Sequence, residues 1–200
     1  MITILLDSSN TNLSVGIAKD NLLLDYISYE AWQRQSEYMI PELEKLLNKH
    51  NVKKEDINDV VVAVGPGSYT GVRIAITIAK TICTALDAKL YAVSSLRVQK
   101  NGDVPSICVI NARSNRSYIG VYEGDKILLT DQIMKNEDVL NYIKSHPSYS
   151  LCGESKYLGI DGIMVNNIQE MLSLKEYLEP INPLSLKPVY MKEEYAKPIY

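Results

Sequence analysis

One pattern, present twice, restricts what this chain can fold into more than any other feature of it. The chain opens with three β-rich runs, Ile2–Asp7, Leu13–Lys19 and Leu22–Ser28, separated by a polar turn (Ser8 to Asn12) and a polar pair (Asp20, Asn21). Sliding the chain on itself by 104 residues without a gap places Gly120 on Gly16, with Ile119 and Val121 on Val15 and Ile17. The same shift puts Ile127 and Leu128 on Leu23 and Leu24, and Asn111 on Asp7. Few residues are identical, yet the order strand, polar turn, strand, polar pair, strand recurs intact. The chain reads as a duplicated α/β unit with two subdomains, 1–103 and 104–200, divided in the polar stretch Lys100 to Pro105.

After the first meander the period changes. Met39, Ile40, Leu43, Leu46 and Leu47 recur at helical spacing between Ser36 and His50. Asp59 to Gly65 reads as a buried strand, Thr70 to Leu86 as a second helix, and Tyr91 to Ser94 as a short strand. Beyond Met134 the signal is weaker: Glu137–Lys144 is predicted helical, Tyr149–Gly153 a strand, and Gln169–Tyr177 a further helix. A meander followed by helix, strand, helix, strand, and then repeated, resembles the duplicated fold of the actin-like ATPases and their ribonuclease-H-like relatives.

By analogy with that fold, the turn after the first strand holds phosphate on backbone N–H groups, and the strand-end acid organises a metal. Asp7, Ser8 and Ser9 stand there, with Asn111 in the second half and Ser68 and Thr70 at a later turn as further candidates for nucleotide or phosphate contact. Asn111 is an amide where a matching acid is expected. A Mg²⁺ ion relies on carboxylates and phosphate oxygens, so losing one carboxylate weakens such a site, and ATP hydrolysis by the chain alone is not expected. The plainer alternative is that Asp7 ends a strand and bonds turn amides.

Gly65-Pro66-Gly67-Ser68-Tyr69-Thr70-Gly71-Val72-Arg73 lies between an apolar strand and an apolar helix. A P-loop needs four residues between its glycines and a lysine after the second; counted from Gly65 that glycine would be Thr70, and no lysine follows Gly71. The dinucleotide fingerprint fails at the same residue. What remains is mechanical: glycines permit positive φ and close approach, and Ser68 or Thr70 can cap the helix. An anion at this helix start, near Arg73, is a further option. The helix is apolar nearly all round, so its second face needs a cover, either another element of this chain or a partner subunit.

Composition narrows the function classes. A net charge of -3 and a pI near 5.5 argue against strong sequence-independent phosphate binding. Cys83, Cys108 and Cys152 are odd in number, widely spaced and in apolar stretches, which favours a reducing cytoplasm. No apolar run approaches the ~18 residues of a membrane span, and the start lacks a signal-peptide pattern, so a soluble, non-exported protein is expected.

The run GPGSYTGVRI, residues 65–74, resembles the signature of the TsaB (YeaZ) family. The opening ILLDSSN, Pro41-Glu42-Leu43 and Ile110-Asn111-Ala112-Arg113 are similar to other family segments, and Tyr190-Met191-Lys192 with Ala196 more loosely to its C-terminus. Two positions depart from the family pattern: Asn111, usually Asp, and Gln35, often His. The resemblance implies a non-catalytic, cytoplasmic scaffold of tRNA threonylcarbamoyladenosine biosynthesis that pairs with the TsaD transferase, or with a second copy when TsaD is absent. The TsaE ATPase joins the assembly and tRNA is met through the complex. No cofactor is required, and ADP or ATP binding would be weak and shared with partners. Carried onto this chain, the partner face is Met39, Leu43 and Leu47 on the first helix with Val72, Ile76, Ile78, Lys80 and Cys83 on the second; the first-helix stripe also reads simply as core. Arg73, Arg113 and Arg116 are the candidates for tRNA contact.

TsaD holds a metal through two histidines at i, i+4, and the matching positions here are Ser95 and Gln99. Neither replaces an imidazole, and His50 and His146 have no partner at ligand spacing, so no metal site is expected. A peptidase would need a metal motif or a serine elbow, and Ser68 lies outside any Gly-x-Ser-x-Gly pattern. The competing readings are a stand-alone actin-fold nucleotide-binding protein, an ATPase or a peptidase.

Overall fold

The computed structural model describes residues 1–31 and 33–191; Lys192 and Ala196 of the family-like tail lie outside them. The first meander forms as its alternation predicts. Strands β1 (Ile2–Asp7), β2 (Asn12–Lys19) and β3 (Leu22–Glu30) pair antiparallel in sequence, while β4 (Ile57–Ala63) and β5 (Lys89–Val93) add in parallel, giving the order β3-β2-β1-β4-β5. Parallel strands need crossovers, and helices α1 (Gln35–Lys49) and α2 (Tyr69–Leu86) supply them.

Every residue of β1 is buried, so both faces of this sheet are covered. Ile4, Leu6, Val15 and Val62 meet Met39 and Leu43 of α1 and Val72, Ala75, Ile76 and Cys83 of α2. The opposite face, with Leu5, Ala18, Val61 and Val93, packs against Ile168, Met171 and Leu172 of α4 (Asn167–Leu174). This cover comes from the far end of the chain. The division at residue 103 therefore needs correction, because residues 167–191 build the first subdomain. Ile181 bridges to Leu90 at the edge of β5, Lys80 Nζ of α2 donates to the Leu186 carbonyl at 3.2 Å, and the Val189 N–H donates to the Val64 carbonyl at 2.8 Å.

The second sheet repeats the meander with β6 (Ser106–Arg113), β7 (Arg116–Glu123) and β8 (Lys126–Lys135), and β9 (Ser150–Gly153) adds in parallel after α3 (Asn136–Ser145). In place of a fifth strand, Ile163 makes a single bridge to Cys152. Ile107, Val109, Ile119 and Val121 pack on Val139 of α3. The other face, with Cys108, Ile110, Tyr122 and Cys152, meets Leu96 of the link between the two sheets.

Pairing also corrects the ungapped alignment. Gly16 faces Leu5 across β1 and β2, whereas Gly120 faces Cys108 across β6 and β7. Two residues further along each strand, the position matching Asp7 is Ile110, and Asn111 is one place beyond. The first strand of the second copy is out of step with the second by one residue, and an ungapped comparison cannot register that.

Candidate functional site

The start of α2 is built around the turn that follows β1. Ser68 caps the helix, its Oγ accepting from the Gly71 N–H at 3.2 Å, while its own N–H donates to the Ser9 carbonyl at 2.6 Å. Ser8 Oγ donates to the Gly71 carbonyl at 2.8 Å. A Cβ at Gly71 would lie 1.8 Å from the Ser8 carbonyl oxygen, and one at Gly67 would lie 2.2 Å from that of Ser9. The glycines of this run therefore let two loops of the chain touch.

Asp7 is 3% exposed, and both its carboxylate oxygens are engaged within the chain. Oδ1 accepts from the Ser9 N–H at 2.8 Å and Oδ2 from Asn167 Nδ2 at 2.6 Å. Neither Asp7 nor Ser8 borders open space, which corrects the expectation that they meet phosphate. Asn111 copies half of this arrangement, its Oδ1 accepting from the Arg113 N–H at 2.8 Å.

Between the two sheets lies a cleft of about 840 Å³. The structure brings four of the predicted phosphate-contact residues to it, Ser9, Ser68, Thr70 and Asn111, along with Arg113 from the predicted tRNA set. Glu154, which sequence reasoning missed, lines the opposite wall from α2. Burial raises its carboxyl above the ordinary range, and the Asn111 N–H at 3.4 Å pulls the other way. The signal for it was in the sequence, since Glu154 directly follows the predicted strand Tyr149–Gly153, as Asp7 ends the first. Among the described residues no group of three or more His, Cys, Asp or Glu is placed to hold a metal ion.

Ser95 and Gln99 serve the core. Ser95 Oγ accepts from the Gly65 N–H at 2.9 Å, and Gln99 Nε2 donates to the Ser95 carbonyl at 2.7 Å. Arg73 lies 5.2 Å over the Tyr69 ring, which itself stacks on Tyr190 at 5.1 Å, while Arg116 opens β7 away from that pair in sequence.

Most of the expected partner face is interior. Met39, Leu43, Val72, Ile76 and Cys83 are between 0% and 5% exposed and belong to the first core. The apolar position at every turn of a helix that crosses a sheet is its core stripe, and sequence spacing alone does not say which apolar stripe faces inward. Lys80 is taken by the chain's own segment Leu184 to Leu186. What keeps partial exposure is a second stripe on α2, Ile74, Ile78 and Ile82, half-buried against the edge of that core at a spacing of four, with Leu47 half-buried and Ile40 47% exposed on α1.

The family model for "TsaD: tRNA N6-adenosine threonylcarbamoyltransferase" matches residues 29–162. The "tRNA threonylcarbamoyladenosine biosynthesis protein TsaB" of Bacillus subtilis is 35% identical over 145 residues, covering 70% of this chain and 62% of that protein. The chain belongs to the TsaB (YeaZ) family, within the wider family of that model. A TsaB of Buchnera aphidicola is 25% identical over 157 residues, 72% of this chain and 74% of that one. The fold agrees: YeaZ from Pseudomonas aeruginosa superposes with a TM-score of 0.81 at 21% identity, covering 95% of this chain and 99% of that one. In this TsaB-family chain the two-sheet, actin-like architecture is retained while the strand-end acid is spent on internal bonds. Among the described residues no helix is long and apolar enough to cross a membrane.

Proposed function

We propose that this chain works in tRNA threonylcarbamoyladenosine biosynthesis as a non-catalytic subunit that docks on the TsaD transferase through the outer surface of α1 and α2. The observation that carries the reading is the Ile74, Ile78, Ile82 stripe. α2 already covers the sheet with a different set of residues, and the segment from Leu184 to Leu186 covers its Lys80 flank, yet this second apolar stripe keeps partial exposure. The engagement of Asp7 by Asn167, and of Ser95 and Gln99 by each other, supports a scaffold over a transferase or an ATPase. TsaE joins this assembly, a second copy takes the same face when TsaD is absent, and the cytoplasm is its compartment. With a net charge of -3, the chain contributes to tRNA docking only locally, through Arg73, Arg113 and Arg116. It requires no cofactor, and any ADP or ATP is held weakly and jointly with a partner.

The test is reconstitution with TsaD from the same organism and its tRNA, threonylcarbamoyl donor chemistry supplied, and modified adenosine measured. Modification is expected with both proteins and not with this chain alone. Modification by this chain without TsaD overturns the scaffold reading.

A further inference from the structure

The cleft between the sheets has a charge pattern that does not suit the polyphosphate of a nucleotide. On one wall stands the start of α2, an 18-residue helix whose Tyr69 and Thr70 N–H groups meet no acceptor among the described residues. Beside it is Ser9, 1% exposed, whose hydroxyl is buried and has no hydrogen-bond partner. Both line the cleft. Across from them the second sheet presents one cation, Arg113, and one acid, Glu154, whose side chain has a single long backbone contact, to the Asn111 N–H at 3.4 Å. A di- or triphosphate carries several negative charges and is held with a divalent cation, and that cation needs carboxylates that are free to bind it. Here Asp7 is withdrawn, and Glu154 would face the phosphates without a second acid to share a metal.

A ligand with one charge of each sign matches both walls. We infer that the cleft binds a free α-amino acid, its carboxylate seated on the Tyr69 and Thr70 N–H groups and the Ser9 hydroxyl, and its ammonium group against Glu154. Each charged end then meets the opposite charge or dipole, and the orphaned Ser9 hydroxyl gains its acceptor. The ammonium also offsets the burial that raises the Glu154 carboxyl. The cleft adjoins the α1 and α2 docking surface at Ile74, which lines both, but its polar groups lie outside the apolar stripe and the inference does not depend on TsaD.

Calorimetric titration of the full chain tests it with L-threonine, L-serine and glycine, with 3-hydroxybutyrate as a carboxylate lacking the ammonium, and with ADP plus Mg²⁺. At least one amino acid binds and the hydroxy acid binds about tenfold more weakly, the scale of one charge-assisted hydrogen bond. Glu154→Gln, checked for an unchanged thermal transition, removes that discrimination by weakening the amino acid alone. Ser9→Ala weakens both ligands equally. The inference is overturned if no amino acid binds at millimolar concentration, if only ADP binds, or if Glu154→Gln leaves the discrimination intact.

Discussion

Single residues in this chain show how a phosphate-loop pattern can be kept for packing. Gly71 is the clearest case. A methyl group there would stand 1.8 Å from the Ser8 carbonyl oxygen, which is backbone and cannot swing aside. Gly71→Ala is expected to cost about 1–3 kcal/mol, the range for overpacking a well-fitted site, read as a lower denaturant midpoint with an unchanged slope. Asp25 allows a test by pH. Hydrogen bonds from Lys49 first and His50 second lower its pKa from 3.8 to about 2. The folded value lies below the unfolded one, so its contribution is present in full above 3.8 and is lost as pH falls toward 2. Asp25→Asn should lower the thermal midpoint at neutral pH, and the gap from the parent should close across that acid window. A gap that is constant with pH would contradict the assignment. At this scale the sequence was only partly legible. Asp7 was visible as a strand-end acid bonding turn amides, but its second bond goes to Asn167, 160 residues away, and no local pattern reports a partner at that distance.

Elements were easier to read where period and burial agree. The meander strands and α2 follow from alternation and from an apolar run too long for a strand, and the predicted ends fall within a residue or two of the observed ones. Which side of a helix faces inward was not legible. α2 buries Val72, Ile76 and Cys83 fully and leaves Ile74, Ile78 and Ile82 half-buried at the edge of the same core, and both sets are apolar and regularly spaced. The role of α4 was hidden for another reason. Its apolar residues announce a buried helix but not the sheet it buries against, and it closes the first sheet after the chain has built the second. A buried ion pair marks that closure: Lys175, just past α4, donates to Asp59 of β4 and, at 3.0 Å, to Thr3 Oγ1 of β1. Lys175→Met leaves Asp59 buried without its cation and should cost ~3–5 kcal/mol, whereas adding Asp59→Leu removes the stranded charge and should recover most of that loss. Chemical denaturation of the two variants measures both; a double variant no better than the single would show that the pair is not what ties α4 to the sheet.

The whole molecule divides its surfaces. One face of the first sheet is closed by α4, the other by α1 and α2, and the cleft lies between the sheets. Among the described residues, the outer side of α1 and α2 keeps an apolar stripe, Ile74, Ile78 and Ile82 with Ile40, that the chain covers only in part. The duplication was legible because it is written in the order of elements. The asymmetry between copies was not, because one residue of register in β6 and the return of α4 are facts of pairing rather than of composition. Docking through this surface is tested by the mass, from light scattering, of this chain mixed with TsaD from the same organism, for the parent and for Ile40→Glu and Ile78→Glu. A complex is expected with the parent chain and is lost in both variants while each keeps its thermal transition. A complex that survives both substitutions, or no complex with the parent, would contradict docking through this surface.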